Sequence, residues 1–212
     1  RWSLLHQQSA IAHLDGDLDT SERLAGEALA VFGGVSPSRA LASFSGQLLI
    51  LRVASGRVDE LADAAQQLVN EQPGVPAWRA ALALCLAKHE PERAAELVQS
   101  SLIDTPDDFT WLAAHVIGAR AAAIVGRQRT VREFIARLDP YSGLVCWQGT
   151  CSYGPVDLVL AMLSSRLGMD HAAQRYTRRA IAQSEQLGAP VFAEELVRWN
   201  SRHTEIADKT QG

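Results

Sequence analysis

Residues 2–32 read WSLLHQQSAIAHLDGDLDTSERLAGEALAVF. An apolar stretch ends at Leu14-Asp-Gly16-Asp-Leu18, and a second stretch with one apolar face begins at once. The spacing predicts a helix over 2–14, a polar turn, and a second helix over 20–32. Asp19, Thr20 or Ser21 is placed to accept the free N–H groups at the start of that second helix. Glu22 suits its positive end, and Gly33-Gly34 stop it.

The same cadence recurs outward from this unit. Further turns read Ala54-Ser-Gly56-Arg-Val58, Lys88-His-Glu-Pro91, Val125-Gly126-Arg-Gln and Leu167-Gly168-Met-Asp170. They fall roughly 34–42 residues apart, the period of tetratricopeptide-like helical repeats. Hairpins are expected over 38–54 with 59–70, 77–88 with 92–101, 109–125 with 130–138, and 156–167 with 170–187. Pro37 and Pro91 suit helix starts, and Asp107 or Asp108 caps the fourth hairpin. Such a unit buries its apolar face only against its neighbours, so a terminal helix over 193–207 is expected to cover the open end. The expected fold is all-α: a tetratricopeptide-like α-solenoid of about five helical hairpins plus a C-terminal capping helix, one domain over residues 1–212. The sequence starts inside a helical pattern without methionine, which reads as a piece of a larger multidomain protein.

Small residues mark the expected helix crossings, because axes 8–10 Å apart leave no room for large side chains. Counted from each turn, Ala28, Leu68, Leu138 and Ala180 are equivalent, and Ala94, Ala95 and Ala173 are close-approach positions. One segment breaks the cadence: Asp139 to Pro155, with Tyr141, Trp147 and Tyr153 among small residues. Loops of this length are uncommon in compact domains and are often functional. Either it forms part of a binding site, or Leu144, Val145 and Trp147 tuck into the stack as an apolar plug.

Composition narrows the function. A formal charge of -4 and a pI of about 5.9 give no general attraction to nucleic acid or anionic lipid. Arg175, Arg178, Arg179, Arg198 and Arg202 cluster near one end, where a solvated basic face or a neighbouring domain accounts for them better than DNA. No apolar run is long enough to cross a membrane. Three cysteines, Cys85, Cys146 and Cys151, fit a reducing, cytoplasmic setting rather than a disulfide framework.

The chemistry of catalysis is not legible. Gly33-Gly-Val-Ser-Pro-Ser-Arg39 lacks the Lys-Ser/Thr ending of a phosphate-binding loop. There is no nucleophile elbow, no paired Cys-x-x-Cys, and no metal-spaced histidine pair; His6 and His13 lie two helical turns apart. Cys85 sits in an apolar helix as a small core residue, and carboxylates such as Glu194-Glu195 read as solvated or helix-start charges. The expectation is no catalytic residue, no metal and no cofactor.

A repeat stack usually lines its inner face with first helices. Counted back from the turns, that face presents His6, His13, Ser43, Ile50, Arg79, Arg120 and Met162. Arg79 and Arg120 either clamp a carboxylate or phosphate or pair with acidic neighbours. With Tyr141, Trp147 and Tyr153 of the long loop, His6, His13, Arg79 and Arg120 make the candidate partner or ligand groove.

Particular phrases carry a resemblance. They are Glu71-Gln-Pro-Gly-Val-Pro-Ala-Trp-Arg-Ala-Ala-Leu-Ala83, Leu138-Asp-Pro-Tyr-Ser-Gly143, Tyr153-Gly-Pro-Val156 with Leu167-Gly168, and Gln186-Leu-Gly-Ala-Pro190. In this order they resemble the C-terminal tetratricopeptide-like region of actinobacterial AAA/STAND ATPase regulators, in which nucleotide-cyclase or LuxR-type helix-turn-helix domains are joined to the ATPase. Val145-Cys-Trp-Gln and Lys88-His-Glu-Pro91 depart from that pattern. The resemblance implies a regulatory sensor or protein-interaction module, with ATPase, cyclase and DNA-reading residues in other domains. Its partners would be those domains or another protein; a small-molecule inducer and self-assembly into a homo-oligomer are the alternatives.

Overall fold

A computed structural model describes residues 1–103 and 105–210, with side chains for 1–102 and 105–201. Its first hairpin pairs α1 (Trp2–Leu14) with α2 (Leu18–Gly33). Ser9 and Ser21 lock their crossing, each hydroxyl donating to the other's backbone carbonyl at 2.8 and 2.7 Å. The cap of α2 is Asp17, which accepts the Thr20 N–H at 3.1 Å, and not Asp19, Thr20 or Ser21. The second helix starts two residues earlier than the polar run suggests, because the chain already reverses at Gly16, which takes a φ of 83°. Gly56 and Gly168 take 71° and 66° at the equivalent places in two later turns. A left-handed residue there lets the next helix fold straight back.

The chain continues through α3 (Pro37–Ala54), a 3-10 turn at Val58–Leu61, and α4 (Ala62–Glu71). Next come α5 (Pro76–Leu86), α6 (Pro91–Ile103), α7 (Trp111–Val125) and α8 (Gln128–Leu138). A short antiparallel hairpin, β1 (Val145–Trp147) and β2 (Ser152–Pro155), interrupts the helices. It is followed by α9 (Val156–Arg166), α10 (Asp170–Leu187) and α11 (Pro190–Thr210). The chain is thus predominantly helical, with one two-stranded sheet among the described residues.

Two kinds of helix alternate, for a reason readable in their residues. From Ala80 to Leu86 in α5, from Ala113 to Ala123 in α7, and from Val156 to Ser164 in α9, every residue is buried. These three pack in succession, α5 on α7 and α7 on α9. Their alanines permit the close approach, and helices covered on all sides carry no polar stripe. The intervening α6, α8 and α10 bury one stripe each, with Ala94, Val98 and Leu102, then Val131, Phe134 and Leu138, then Tyr176 and Ala180. Ala28, Leu68, Leu138 and Ala180 are all buried, as their equivalence requires. Ala173 is only half-buried; Tyr176 and Ala180 make the inward stripe of α10 instead.

Two elements depart from expectation. The terminal helix α11 does more than sit beside α10 at one end. It also packs on α9, α3 and α1, so it spans from the last hairpin to the first. The long segment is not plugged by Leu144 and Trp147, which are 52% and 50% exposed. Cys146, Cys151, Ser152 and Tyr153 point inward in their place. The pleat alternates side chains, so burying Cys146 turns Trp147 out.

Candidate ligand cleft

The β-hairpin and α11 are pinned to the inner helices by a few polar anchors. Gln47 of α3 donates one amide group to two carbonyls, His6 O at 2.8 Å and Thr150 O at 2.9 Å, joining α1 to the hairpin. Asp157, fully buried at the start of α9, accepts from Ser142 Oγ and Gly143 N, both at 2.7 Å. Gly154 has a φ of 87° and lies face-on to Phe192 of α11; a Cβ there would stand 2.9 Å from the ring. Only glycine lets the strand approach that closely.

Arg120 is the hub. It is 4% exposed and its planar fork grips Glu195 of α11, Nε to Oε1 at 2.7 Å and Nη2 to Oε2 at 3.1 Å. Nη2 also donates to Tyr153 O at 2.9 Å. One guanidinium thereby joins α7, β2 and α11. Arg120 therefore pairs with an acidic neighbour, one of the two alternatives open to it. Glu195 is not a solvated helix-start charge, because its neighbours along the helix face are Phe192, Leu196 and Trp199, which are themselves buried or half-buried.

Beside this ion pair opens a cleft of about 460 Å³. Val53, Val58, Leu84, Ile124, Met162 and Trp199 give it apolar walls. Charged groups converge on the same space: Asp59, Lys88, Arg120, Arg166, Glu195 and Arg198. The volume and the mix of apolar wall with few polar groups match small-ligand sites. Cys85 also lines it, but burial and the nearby Asp59 charge push its thiol up to about 12, so it is no nucleophile at neutral pH. Burial likewise pushes Cys146 to about 12 and Cys151 to about 11, and holds the Tyr153 phenol well above its ordinary range. All three cysteines are free thiols.

The groove expected from the sequence is only partly this cleft. Of its residues, Arg120 and Met162 line it. His13 is 2% exposed and packs edge-on against Phe192, with both ring nitrogens lacking a hydrogen-bond partner among the described residues. Burial is the largest influence lowering its pKa, to about 4; Glu195 acts against this and Arg120 with it. His6 is buried beside Trp2, and burial lowers its pKa too. Both histidines are thus buried packing residues outside the cleft lining rather than open ligands. Arg79 is half-buried on α5 and is not part of the cleft lining. Tyr141 packs on Trp111 with ring centroids 5.0 Å apart, Trp147 faces solvent, and Tyr153 is buried in the hairpin. The long loop therefore supplies no wall of the cleft. Arg202 lies outside the residues whose side chains are described, and the other terminal arginines divide: Arg175, Arg178 and Arg179 are exposed, whereas Arg198 lines the cleft.

Asp59, Arg166, Glu195, Arg198 and Trp199 were not singled out by the sequence as cleft residues. The signal for two of them, Glu195 and Trp199, lay in the period of α11, where Phe192, Glu195, Leu196 and Trp199 share one face. A carboxylate inside an apolar stripe calls for a buried cation. Among the described residues no group of three or more His, Cys, Asp or Glu side chains is placed to hold a metal ion. Nor is any helix among them long and apolar enough to cross a membrane. No family profile, no curated protein and no solved structure matches this chain.

Proposed function

We propose that the chain is a tetratricopeptide-like α-solenoid that serves as the sensor module of a multidomain signal-transduction ATPase, and that the cleft reads a small-molecule effector. The resemblance of its sequence phrases to the helical region of STAND regulators supports the regulatory role. The recurring hairpins and the succession of α5, α7 and α9 support the solenoid reading.

The observation that carries the effector reading is the self-occupation of the inner face. In an open repeat array that face is a long groove able to hold a partner's helix. Here the chain's own β-hairpin and α11 lie against it, tied down by Gln47, Arg120 and Gly154. The remaining space is a pocket of small-ligand size, with α11 as one wall. A ligand shifts such a switch only by binding one arrangement better than another. The wall most exposed to that bias is α11, because it belongs to no hairpin of its own.

The test is titration with a neutral apolar dye, N-phenylnaphthylamine, followed by dye emission and by amide hydrogen exchange along α11. One saturable site, loss of binding in Met162→Trp, and altered exchange in α11 are expected. Failure of the dye to bind, or equal binding to Met162→Trp, would overturn the effector reading.

A further inference from the structure

We infer that the cleft takes an amphipathic small molecule with a single anionic head, a carboxylate or a phosphate monoester. This rests on the cleft being a ligand site and concerns the chemical class it accepts. The argument is one of charge left over after pairing. Two carboxylates line the cleft, and both are already engaged. Glu195 is held by the fork of Arg120, while Asp59 is met by His89 at 3.0 Å and Lys88 at 3.5 Å. Among the described residues, the guanidiniums of Arg166 and Arg198 have no such carboxylate inside the cleft. The one carboxylate that Arg198 approaches among the described residues is Glu194, at 3.7 Å, whose side chain is 63% exposed. Its Nη2 is buried without a hydrogen-bond partner among the described residues.

A buried guanidinium nitrogen without an acceptor is costly. A planar fork is the group best suited to receive two oxygens of one anion. The rest of the lining decides the remainder of the ligand. Val53, Ile124, Met162 and Trp199 offer an apolar surface that matches an alkyl or aromatic body. A free inorganic anion would leave that surface wet, and a cationic amphiphile would meet two uncompensated arginines. A neutral amphiphile fills the space and leaves Arg198 unsatisfied.

Competition against bound N-phenylnaphthylamine at low ionic strength tests this with four probes of equal chain length: decanoate, decyl phosphate, decanol and decylamine. Decanoate or decyl phosphate is expected to displace the dye at least about tenfold more tightly than decanol, with decylamine weakest. Whichever anion binds more tightly identifies the head. Arg198→Gln and Arg166→Gln should each weaken that anion about tenfold, leave decanol unchanged, and flatten the salt dependence of anion binding. Arg166 is exposed at the end of α9, so its replacement tests the assignment even if Arg198→Gln fails to fold. Decanol binding as tightly as both anions, or anion affinity untouched by Arg166→Gln, would overturn the inference while leaving the cleft a ligand site. If the dye itself does not bind, the effector reading falls and this inference falls with it.

Discussion

The inner layer and the elements that cover it are held by different physics. In α5, α7 and α9 small apolar side chains meet along whole helices, and no single contact dominates. The β-hairpin and α11 also bury apolar side chains, Tyr153, Val191, Phe192 and Leu196 among them, but add a handful of specific contacts: a bidentate ion pair, one shared amide, one buried aspartate and one glycine against an aromatic ring. Burial spread over many methyl groups tolerates local change, whereas a cover fastened at points fails when a point is lost. An element meant to respond to a ligand is drawn from the less stable end of a structure. The cover is the part built that way.

The sharpest test of this contrast is the Arg120–Glu195 pair. Glu195→Ala leaves a buried guanidinium with only carbonyl partners and should cost about 3–5 kcal/mol. The loss should appear as a lowered denaturation midpoint, with α11 exchanging its amides first. Replacing both partners, as Arg120→Met with Glu195→Leu, should restore most of that stability, because the cost arises from the orphaned charge. If Glu195→Ala melts like the parent chain, α11 is not fastened as described.

The same contrast explains what could be read in advance. The inner layer was legible because its signal is local: apolar runs of helical length between polar turns, with glycine at four of the five reversals and in the left-handed region at three of them. Helix bounds fell within a few residues of expectation for that reason. The cover was illegible because its signal is long-range. Arg120 and Glu195 are 75 positions apart and Gln47 and Thr150 are 103 apart, so no period links them. Trp147 was the conspicuous side chain of the loop and Cys146 its quiet neighbour, yet strand alternation buries the second and exposes the first. Aromatic size alone does not say which face of a strand is covered. His6 and His13 share a helix face as their spacing states, but that face became interior once α3 and α11 packed on it.

Two histidines sharpen the comparison through pH. His13 lies between the first hairpin and α11, whereas His115 lies inside the helical layer, stacked on Trp111 at 3.9 Å. Arg137 directs an N–H toward His115 Nε2 at 3.4 Å, so that nitrogen is the acceptor and Nδ1–H donates to Trp111 O at 2.9 Å. Burial is the largest influence on both, lowering each pKa from 6.5 to about 4. A folded-state value below the unfolded one means that the unfolded chain takes up protons first. The stability from each ring is therefore complete above 6.5 and lost as pH falls toward about 4, by on the order of 3 kcal/mol per ring. Urea melts near neutrality and near pH 4 should show this loss. His13→Phe should remove roughly half of it, and no flattening of the acid limb in that variant would contradict the buried placement.

Gly154→Ala is the next smaller effect. The added methyl meets Phe192 at 2.9 Å, and the backbone keeps a φ of 87°. Strain and displacement of the ring together should cost about 2–3 kcal/mol. Gly16→Ala shares the strained φ but has nothing within 4 Å of the new carbon, so it isolates the backbone share at about 1–2 kcal/mol. The difference between the two thermal midpoints measures how firmly the hairpin and α11 press on each other. Equal midpoints would mean that the strand and the Phe192 ring separate at no cost.

The smallest effects should come from positions that look important in sequence and lie outside both contact systems. Trp147→Ser removes a half-exposed ring on the outer face of the hairpin, and Ala173→Leu adds bulk on the half-buried flank of α10. Each should change stability by less than about 1 kcal/mol, because neither opens a cavity nor strands a buried polar group. Ala83→Leu, at a fully buried site of α5, is the matched control and should cost about 1–3 kcal/mol through overpacking. The ordering of these three by chemical denaturation discriminates sharply. If Trp147→Ser destabilises as much as Ala83→Leu, the outer face of the hairpin carries a contact of its own, and the cover is fastened from both sides.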